Sequence, residues 1–388
     1  MTTNPEQKTP LWRDQRFWQA TFQIVAILGT LSVLWLLWYN LTVNVRNKGV
    51  ELGFGFLNSQ ASFAIQESLI PYDPARDSYA RVLLAGLLNS LRVMIVGIVL
   101  TTVLGVAAGV ASFSENWLLR KGSVLYVEVI RNTPLLLQLY FWYRAVFTRF
   151  PSPEDRLEFL NSVYLSNRGV FLPWPAMSWR FGVGLGSLVA AAIAAVVLWQ
   201  WRTKLMVERG QSGQPQLMAL GAVAIAFLLL LVGLGWQVPQ ESSPGLFEGG
   251  LRLSIEFSAL VTGLVVYTGA YIAEIVRAGI QSVPLGQWEA AKALGLSATS
   301  VMRLVVFPQA LRVMIPPLNS QYMNLAKNSS LAIAIGYADI YSVANTTYNQ
   351  TGRPVEVMFI VMATYLSINL IISIAMNSLN RAVQLKER

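Results

Sequence analysis

An all-α integral membrane protein with about eight transmembrane helices is the fold class that this sequence predicts, from its composition and from the spacing of its apolar residues. The 388 residues are 54% hydrophobic and only 13% charged, whereas soluble chains average about 25% charged residues. The apolar residues form blocks without charge at 20–39, 93–111, 182–199 and 217–236. Each block predicts one crossing, because a hydrocarbon core of about 30 Å needs about 20 such residues per helix.

Further crossings are predicted although they contain isolated charges or prolines. They cover 124–147, 256–277, 309–326 and 357–379. The block that ends at residue 111 also extends back to residue 82 across Arg92. Pro316 and Pro317 are expected to break or kink the helix that contains them.

The net charge of +9 is carried by Lys and Arg residues scattered along the loops between spans. This distribution favours a role in membrane orientation and not the binding of nucleic acid. The basic tails Lys8–Arg16 and Arg381–Arg388 suit the cytoplasmic side, so both termini are expected there. The first block has Trp35, Trp38 and Tyr39 at its far end and is too long for a cleaved signal peptide, so it is expected to be a retained anchor.

Long polar segments separate the spans, of which 42–81 and 148–180 are expected outside and 278–308 in the cytoplasm. The cytoplasmic segment contains a predicted short helix, since Pro284 stands at its start and Gly295 follows its end. A solvated connecting helix is the commoner fate of such a segment. The crowding of small residues around Ala290 and Ala291 instead favours a surface that another protein approaches closely.

A short sequence motif occurs in two of the spans. Glu128-Val-Ile-Arg131 and Glu274-Ile-Val-Arg277 each place opposite charges three residues apart on one helix face. We expect each pair to neutralise itself where desolvation would be costly. The repeat symmetry of a transporter is the alternative interpretation.

One cytoplasmic motif resembles a known signature. The run from Glu289-Ala-Ala to Gly295, followed after nine residues by Val305-Val-Phe-Pro308, is similar to the EAA signature of ABC importer permeases. That signature reads EAA, three residues, G, nine residues and I-x-L-P; Val305 and Phe307 replace the usual Ile and Leu and keep an apolar anchor. Other runs resemble the polar amino-acid branch of the family, of the histidine and glutamine permease type, at 86–91, 129–138, 308–312 and 324–331.

The resemblance implies a type I ABC importer permease core of five helices plus three extra spans, a plan similar to that of general L-amino acid importers. The predicted units are 1–81 with the first span and its external loop, 82–147 as the first part of the core, 148–253 as an insertion with two spans, and 254–388 as the second part of the core with the coupling helix. The segments added to the five-helix core, 1–81 and 148–253, are expected to shape the external docking surface and the lipid contacts, because 182–199 and 217–236 are apolar on every face.

The resemblance also implies the rest of an importer in the bacterial inner membrane. A homologous permease or a second copy, two ATPase subunits and an external amino-acid-binding protein would assemble with this chain, which would not itself be an enzyme. ATP and Mg would be bound by the ATPase subunits; the chain has no Gly-Lys dipeptide and therefore no phosphate loop of the G-x-x-x-x-G-K-[ST] type. The residues expected to couple the permease to the ATPase are Glu289, Ala290, Ala291, Gly295 and Pro308.

A zwitterionic amino acid that crosses the bilayer needs polar groups in place of its lost hydration. The candidates by residue type and position are Asn89, Ser90, Arg92, Gln138, Tyr267, Tyr271, Gln321, Tyr322, Asn324 and Lys327. Each has an alternative interpretation as an interhelical hydrogen bond. Arg92 could bind a substrate carboxylate, pair with a carboxylate of this chain or its partner, or extend to the membrane surface. Lys327 lies at a predicted helix break.

Two other classes of function compete with the importer. An ion-coupled secondary transporter would need acidic residues deep in the membrane, whereas Glu128 and Glu274 lie toward the inner ends of their spans with an Arg nearby. A membrane-embedded enzyme would have to work without Cys or His, since both are absent, and the sequence has no paired acid site or G-x-S-x-G elbow. The absence of Cys and His also excludes disulfides, zinc sites built on these ligands and histidine proton shuttles.

Overall fold

The computed structural model describes residues 15–47, 53–176, 178–210, 212–243 and 246–383, so the predicted cytoplasmic tails lie largely outside the described residues. Helices dominate the described chain. In chain order the α-helices are α1 (Gln15–Asn47), α2 (Tyr79–Ala111), α3 (Trp117–Arg131), α4 (Leu135–Tyr140), α5 (Trp179–Arg209), α6 (Gln214–Val232), α7 (Ile255–Gln281), α8 (Leu285–Ala293), α9 (Ala298–Val301), α10 (Phe307–Asn328), α11 (Ile340–Thr351) and α12 (Pro354–Val383).

Within the described residues, 7 helical stretches are long and apolar enough to cross a membrane, and they account for every predicted span except 124–147. That span consists of α3, α4, a π-helical turn (Phe141–Val146) and a 3-10 turn (Phe147–Arg149). The interruption lies at Pro134, because proline lacks an N–H and forces the residue before it toward extended backbone. The prediction of a helical membrane protein with about eight crossings is confirmed, with one crossing discontinuous.

The prolines of α10 do not break it, so of the two expected effects, a break or a kink, the break is absent. The helix runs through Pro316 and Pro317 and ends at Asn328. Proline is tolerated in membrane helices where neighbouring groups satisfy the freed carbonyls. The interruption comes later, in the 3-10 turn Ser329–Ile335, which ends at Gly336 with φ of +80°.

α7 lies at the centre of the bundle and packs against α2, α3 and α10. Its contact with α2 is very close, because α2 presents glycine there. A Cβ added at Gly105 would lie 2.5 Å from the Cβ of Ile272, and one at Gly109 would lie 2.6 Å from the Cβ of Val276. Small residues that let two backbones approach are the usual basis of helix packing in membranes.

The polar segment 148–180 and the chain between α6 and α7 contain β-structure that the sequence did not predict. The strands are β1 (Leu157–Phe159), β2 (Val163–Ser166), β3 (Gly169–Leu172), β4 (Trp174–Pro175), β5 (Trp236–Gln237), β6 (Gln240–Ser243), β7 (Leu246–Glu248) and β8 (Leu251–Leu253). β1, β2, β3 and β8 form one antiparallel sheet in that order, while β4 pairs with β5 and β6 with β7. The molecule is therefore mostly helical, with a small β layer at the ends of α5, α6 and α7.

The added helices are exposed along most of their length. α5 and α6 pack against each other, α6 has no buried residue, and the apolar window of α1 is 0% buried. Since their exposed side chains are mainly apolar, these helices fit contact with lipid.

The β layer and α8 lie at opposite ends of the bundle. β8 leads into the start of α7, and α8 follows its end. α7 has 27 residues and so is about 40 Å long. The β layer and α8 are therefore on opposite sides of a membrane that α7 crosses.

Candidate functional site

Asn89 and Ser90, which are predicted path residues, lie against the break between α10 and α11. The Asn89 side chain donates hydrogen bonds to the carbonyl oxygens of Glu67 at 2.8 Å and Ala338 at 2.9 Å. The Ser90 hydroxyl accepts a hydrogen bond from the N–H of Ile340 at 2.9 Å. Both side chains are fully buried. They satisfy backbone groups that the break leaves free, which supports the structural interpretation of this pair.

A buried carboxylate that the sequence analysis did not select lies beside this pair. Asp339 has no exposed surface, and its Oδ1 accepts the N–H of Ser342 at 2.8 Å. Tyr365 of α12 donates its hydroxyl to the other carboxylate oxygen at 3.3 Å. Asp339 is thus the N-cap of α11, and an aspartate just before a helical run is the sequence signal that identifies such a cap.

The guanidinium of Arg92 pairs with a carboxylate of this chain. Its Nη1 donates a hydrogen bond to Oε1 of Glu67, and its Cζ lies 4.2 Å from the centre of the Phe257 ring. Ser254 donates its hydroxyl to the other oxygen of Glu67 at 2.5 Å. Of the alternatives for Arg92, the structure supports the ion pair within this chain. Sequence reasoning missed Glu67 because it lies in a polar segment, where nothing marks it as the partner of a charge inside α2.

Gln138 and Tyr322 also make hydrogen bonds that hold the fold. The Gln138 amide nitrogen donates to the carbonyl oxygens of Ile130 and Thr133, each at 2.9 Å, which stabilises the turn between α3 and α4. The Tyr322 hydroxyl lies 2.8 Å from that of Thr102, and since Thr102 donates to the Ile98 carbonyl, Tyr322 is the donor between them. This contact joins α10 to α2.

The remaining candidates on α10 lie on a different surface. Asn324 and Lys327 are exposed and Gln321 is half-buried. Among the described residues, these three side chains make no hydrogen bond or ion pair. Ser320 is also exposed, and positions 320, 324 and 327 share one helix face. A polar face at this depth in a membrane protein indicates contact with a partner or a water-filled path.

Tyr267 and Tyr271 lie together on α7, with hydroxyl oxygens 3.2 Å apart and ring centres 5.0 Å apart. Tyr271 faces a cavity of about 330 Å³ between α3 and the second half of α7. The guanidinium carbon of Arg131 lies 5.2 Å from the centre of the Tyr271 ring. The two tyrosines therefore connect the interior of the bundle to this cavity, whereas Asn89, Gln138 and Tyr322 do not line it.

The two Glu-x-x-Arg motifs, at 128–131 and 274–277, both line the cavity, but their charges pair differently. Arg277 donates to Glu274 at 2.7 Å, so this pair neutralises itself as expected. Arg131 lies 3.8 Å from the same Glu274, and within the described residues Glu128 has no ion pair within 4.0 Å. The expectation that each motif neutralises itself is therefore wrong for Glu128 and Arg131, because Arg131 turns toward the carboxylate of the neighbouring helix.

The predicted coupling helix is present as α8, between Pro284 and Gly295. Its end is a Schellman turn. The Gly295 N–H donates to the carbonyl oxygen of Lys292 at 2.9 Å, and the Leu296 N–H donates to the carbonyl oxygen of Ala291 at 3.4 Å. Gly295 has φ of +75°, a left-handed conformation that favours glycine. The local signals of proline and glycine thus located this helix correctly.

The side chains expected to couple α8 to a partner do not all face outward. Glu289, Ala290 and Pro308 are exposed, whereas Ala291 is only 4% exposed and belongs to a core cluster of this chain. Ala291 therefore anchors α8 to its own bundle. Leu285 and Leu294, at the two ends of α8, are 77% and 80% exposed, and they add apolar surface that the sequence analysis did not select.

Metal chemistry has no evident site in the described part of the chain. Within it, no group of three or more acidic, cysteine or histidine side chains is placed to hold a metal ion. The groups available to a solute are hydroxyls, amides and paired charges. Such groups can bind and release a polar molecule.

Comparison with known proteins shows similarity along nearly the whole chain. Residues 216–385 match the family of binding-protein-dependent transport system inner membrane components. The chain is 43% identical over 372 residues to the putative amino-acid ABC transporter permease protein YhdX of Escherichia coli strain K12, which covers 95% of this chain and 94% of that protein. It is 41% identical over 380 residues to the general L-amino acid transport system permease protein AapQ of Rhizobium johnstonii, with coverage of 97% and 94%.

A third relative carries a more specific name. The glutamate/glutamine/aspartate/asparagine transport system permease protein BztB of Rhodobacter capsulatus is 40% identical over 413 residues, covering 97% of this chain and 96% of that protein. Among solved structures, a chain in the crystal structure of an amino acid ABC transporter with histidines has a TM-score of 0.47 and 22% identity, over 78% of this chain and 95% of that one.

The matched family and the named relatives define the class as a membrane permease component of a transport system. The identity and coverage of these relatives go further: the chain belongs to the family of amino-acid ABC transporter permeases. It is a multi-pass inner membrane protein. The family predicted from the EAA-like motif is confirmed, and nothing supports the ion-coupled alternative.

Proposed function

We propose that this permease carries polar or chemically varied amino acids into the bacterial cytoplasm, receives them from an external binding protein and is driven by separate ATPase subunits. The relatives named for general L-amino acids and for acidic amino acids and their amides support this substrate class. The observation that carries the proposal is the exposed helix α8, built on the EAA-like motif at the end of the bundle opposite the β layer.

α8 has the surface that a coupling helix needs. Leu285 and Leu294 are exposed at its ends, and Glu289 lies exposed between them. Apolar anchors on a short helix fit a groove on another protein, and a carboxylate adds a charge-assisted contact. Because Ala291 is packed into the core cluster, a displacement of α8 would be passed to the bundle as a rigid-body movement.

The polar face of α10 supports a second permease, either a homologue or another copy of this chain. Ser320, Asn324 and Lys327 are exposed at membrane depth, where unpartnered polar groups are costly. A second permease that faces α10 would cover this surface and leave a polar passage between the two chains. In this arrangement Gln321, Asn324 and Lys327 contact the amino acid, while Asn89, Ser90, Gln138 and Tyr322 maintain the fold.

The orientation follows from α8. Contact with ATPase subunits places α8 in the cytoplasm and the β layer outside, where the binding protein docks. The even number of crossings then puts both termini in the cytoplasm. In this arrangement the additions at 1–81 and 148–253 serve docking and lipid contact, and the core units at 82–147 and 254–388 form the path.

Uptake by vesicles that contain the reconstituted transporter tests the proposal. Labelled L-glutamate, L-glutamine and L-arginine should enter only with binding protein outside and ATP inside, and uptake should survive ionophores that collapse ion gradients. Uptake that needs no ATP and stops with ionophores would establish the ion-coupled alternative. Glu289→Ala should lower both substrate-stimulated ATP hydrolysis and uptake, while Glu115→Ala, which removes an exposed carboxylate outside α8, should change neither rate.

A further inference from the structure

The cavity between α3 and α7 has features that the transport path on α10 does not explain. It encloses about 330 Å³ and is lined by Ser112, directly after the end of α2, as well as by α3 and α7. That volume is within the range of small-molecule sites, about 300 to 1,000 Å³. Its lining elements place it toward the end of the bundle that carries α8.

The charges of the cavity sum to zero and are unequally paired. Glu128, Arg131, Glu274 and Arg277 all line it. Glu274 and Arg277 form a close pair at 2.7 Å. Arg131 is 3.8 Å from Glu274 with 41% of its side chain exposed, and the exposed Glu128 carboxylate has no ion pair in the described part of the chain. Glu128 interacts with the charge of Arg277 without a close ion pair, and Arg131 makes only the longer contact with Glu274, so both groups are more accessible to a solute than the close pair.

A zwitterion is the ligand that matches this arrangement. A ligand with only a negative charge would be attracted by Arg131 but repelled by the two carboxylates. A ligand with only a positive charge would be repelled by the two guanidiniums. A molecule with an ammonium and a carboxylate on neighbouring atoms could satisfy Glu128 and Arg131 together, and both contacts would be charge-assisted hydrogen bonds. The two side chains start three residues apart on one face of α3 and both line the cavity, so one molecule in the cavity can reach both.

We propose that this cavity binds the zwitterionic head of an α-amino acid on the cytoplasmic side, with the ammonium at Glu128 and the carboxylate at Arg131. The inference rests on the proposed function, and it adds an exit site to the path. Tyr271 lines the cavity, and its hydroxyl contact with Tyr267 leads back toward the interior. The transported molecule is held here before release, and cytoplasmic amino acid can occupy the same site.

The absence of cysteine allows a direct test by chemical protection. Asn132 lines the cavity and is exposed, so Asn132→Cys gives a single reactive thiol beside Glu128 and Arg131. Inside-out membrane vesicles that contain the assembled transporter are treated with a membrane-impermeant maleimide. The probes are L-glutamine, L-glutamate and L-arginine, compared with propionate and n-propylamine, which each carry only one of the two charges.

We expect the three amino acids to slow labelling of Asn132→Cys and the single-charge compounds to leave it unchanged. Added Glu128→Gln or Arg131→Gln should raise the half-protecting concentration about tenfold or more. Lys121→Gln is the matched control, because it removes a charge from α3 outside the cavity and should leave protection unchanged.

Two results would overturn the exit site. Labelling that none of the amino acids slows would mean that the charges only join α3 to α7. Equal protection by propionate or n-propylamine would mean that a single charge suffices. Either result could coexist with normal ATP-driven uptake in the reconstituted vesicles that test the proposed function, which would leave that function intact. Failure of uptake itself would instead count against the proposed function.

Discussion

Glu67, in the polar segment before α2, accepts a hydrogen bond from Arg92 inside α2 and a second one from Ser254 at the start of α7. The backbone oxygen of Glu67 also accepts a hydrogen bond from Asn89. One residue outside the core thus fixes the relative positions of the two helices that pack most closely in the bundle. The side chains of Arg92 and Glu67 are 13% and 17% exposed, so the pair is largely shielded from water.

Removing either charge of this pair should destabilise the permease. Glu67→Gln and Arg92→Gln are each expected to cost about 2 kcal/mol, because each leaves a shielded charge without its partner. The double variant should cost clearly less than the sum, by about 1 kcal/mol or more. Thermal unfolding of the purified protein in detergent measures the effect.

The exposed pair Arg76 and Asp73 provides the control for this cycle. Their side chains are 87% and 54% exposed and 3.8 Å apart, so Arg76→Gln should change stability by less than about 0.5 kcal/mol. Strictly additive losses in the Glu67 and Arg92 variants would contradict a direct interaction.

Gly295→Val should uncouple transport while the permease still inserts. Valine is strained at φ of +75°, with a cost on the order of 1 kcal/mol or more, and its branched side chain would obstruct a partner surface. Gly295→Asn should retain more activity, since Asn tolerates this conformation better. Substrate-stimulated ATP hydrolysis and uptake are both measured in reconstituted vesicles.

Gly286→Ala is the matched control for α8. Nothing lies within 4 Å of the position of its added Cβ, and alanine favours helix, so both rates should stay at the wild-type level. If Gly295→Val in an assembled complex also kept both rates, α8 would be only a connector between spans.

Gly105→Ala should destabilise the bundle. The added Cβ would lie 2.5 Å from the Cβ of Ile272 and 2.9 Å from the carbonyl oxygen of Gly269, so the two helices must move apart. The expected loss is about 1 to 3 kcal/mol, seen as a lower melting temperature and a lower yield of folded protein. Gly122→Ala on α3 is the control, because the added Cβ would lie in open space; the melting temperature and the yield should not change. Equal losses in the two variants would argue against a close contact between α2 and α7.

Bulky substitutions in the hairpin of α5 and α6 should not affect transport. Gly186 and Gly221 have open space at their Cβ positions, and both helices are mostly exposed and apolar. Gly186→Leu and Gly221→Leu are therefore expected to retain wild-type uptake, whereas Asn324→Leu on α10 should lower it severalfold by removing a polar group from the path. A strong loss of uptake in the two glycine variants would place the path along this hairpin.

Prediction from the sequence succeeded where the signal was local. Apolar blocks of membrane length located every long helix, and Pro284 with Gly295 located α8, because helix formation and termination depend on neighbouring residues. Pro134 was available as a signal for the interruption between α3 and α4, but the hydropathy of 124–147 masked it. At Pro316 the same rule predicted a break or a kink, and the bundle keeps the helix continuous.

Partners across the chain could not be predicted in this way. Composition, apolar spacing and motifs were enough to predict the membrane class, the number of crossings, the family resemblance and the presence of charges that need partners. The packed helices were needed to show that Arg92 pairs with Glu67 and that Arg131 turns toward Glu274 and not toward Glu128. They were also needed to show that β3 pairs with β8. Residue type and spacing determine local backbone structure and the cost of desolvation, whereas the choice among distant partners depends on how the packed helices bring side chains together.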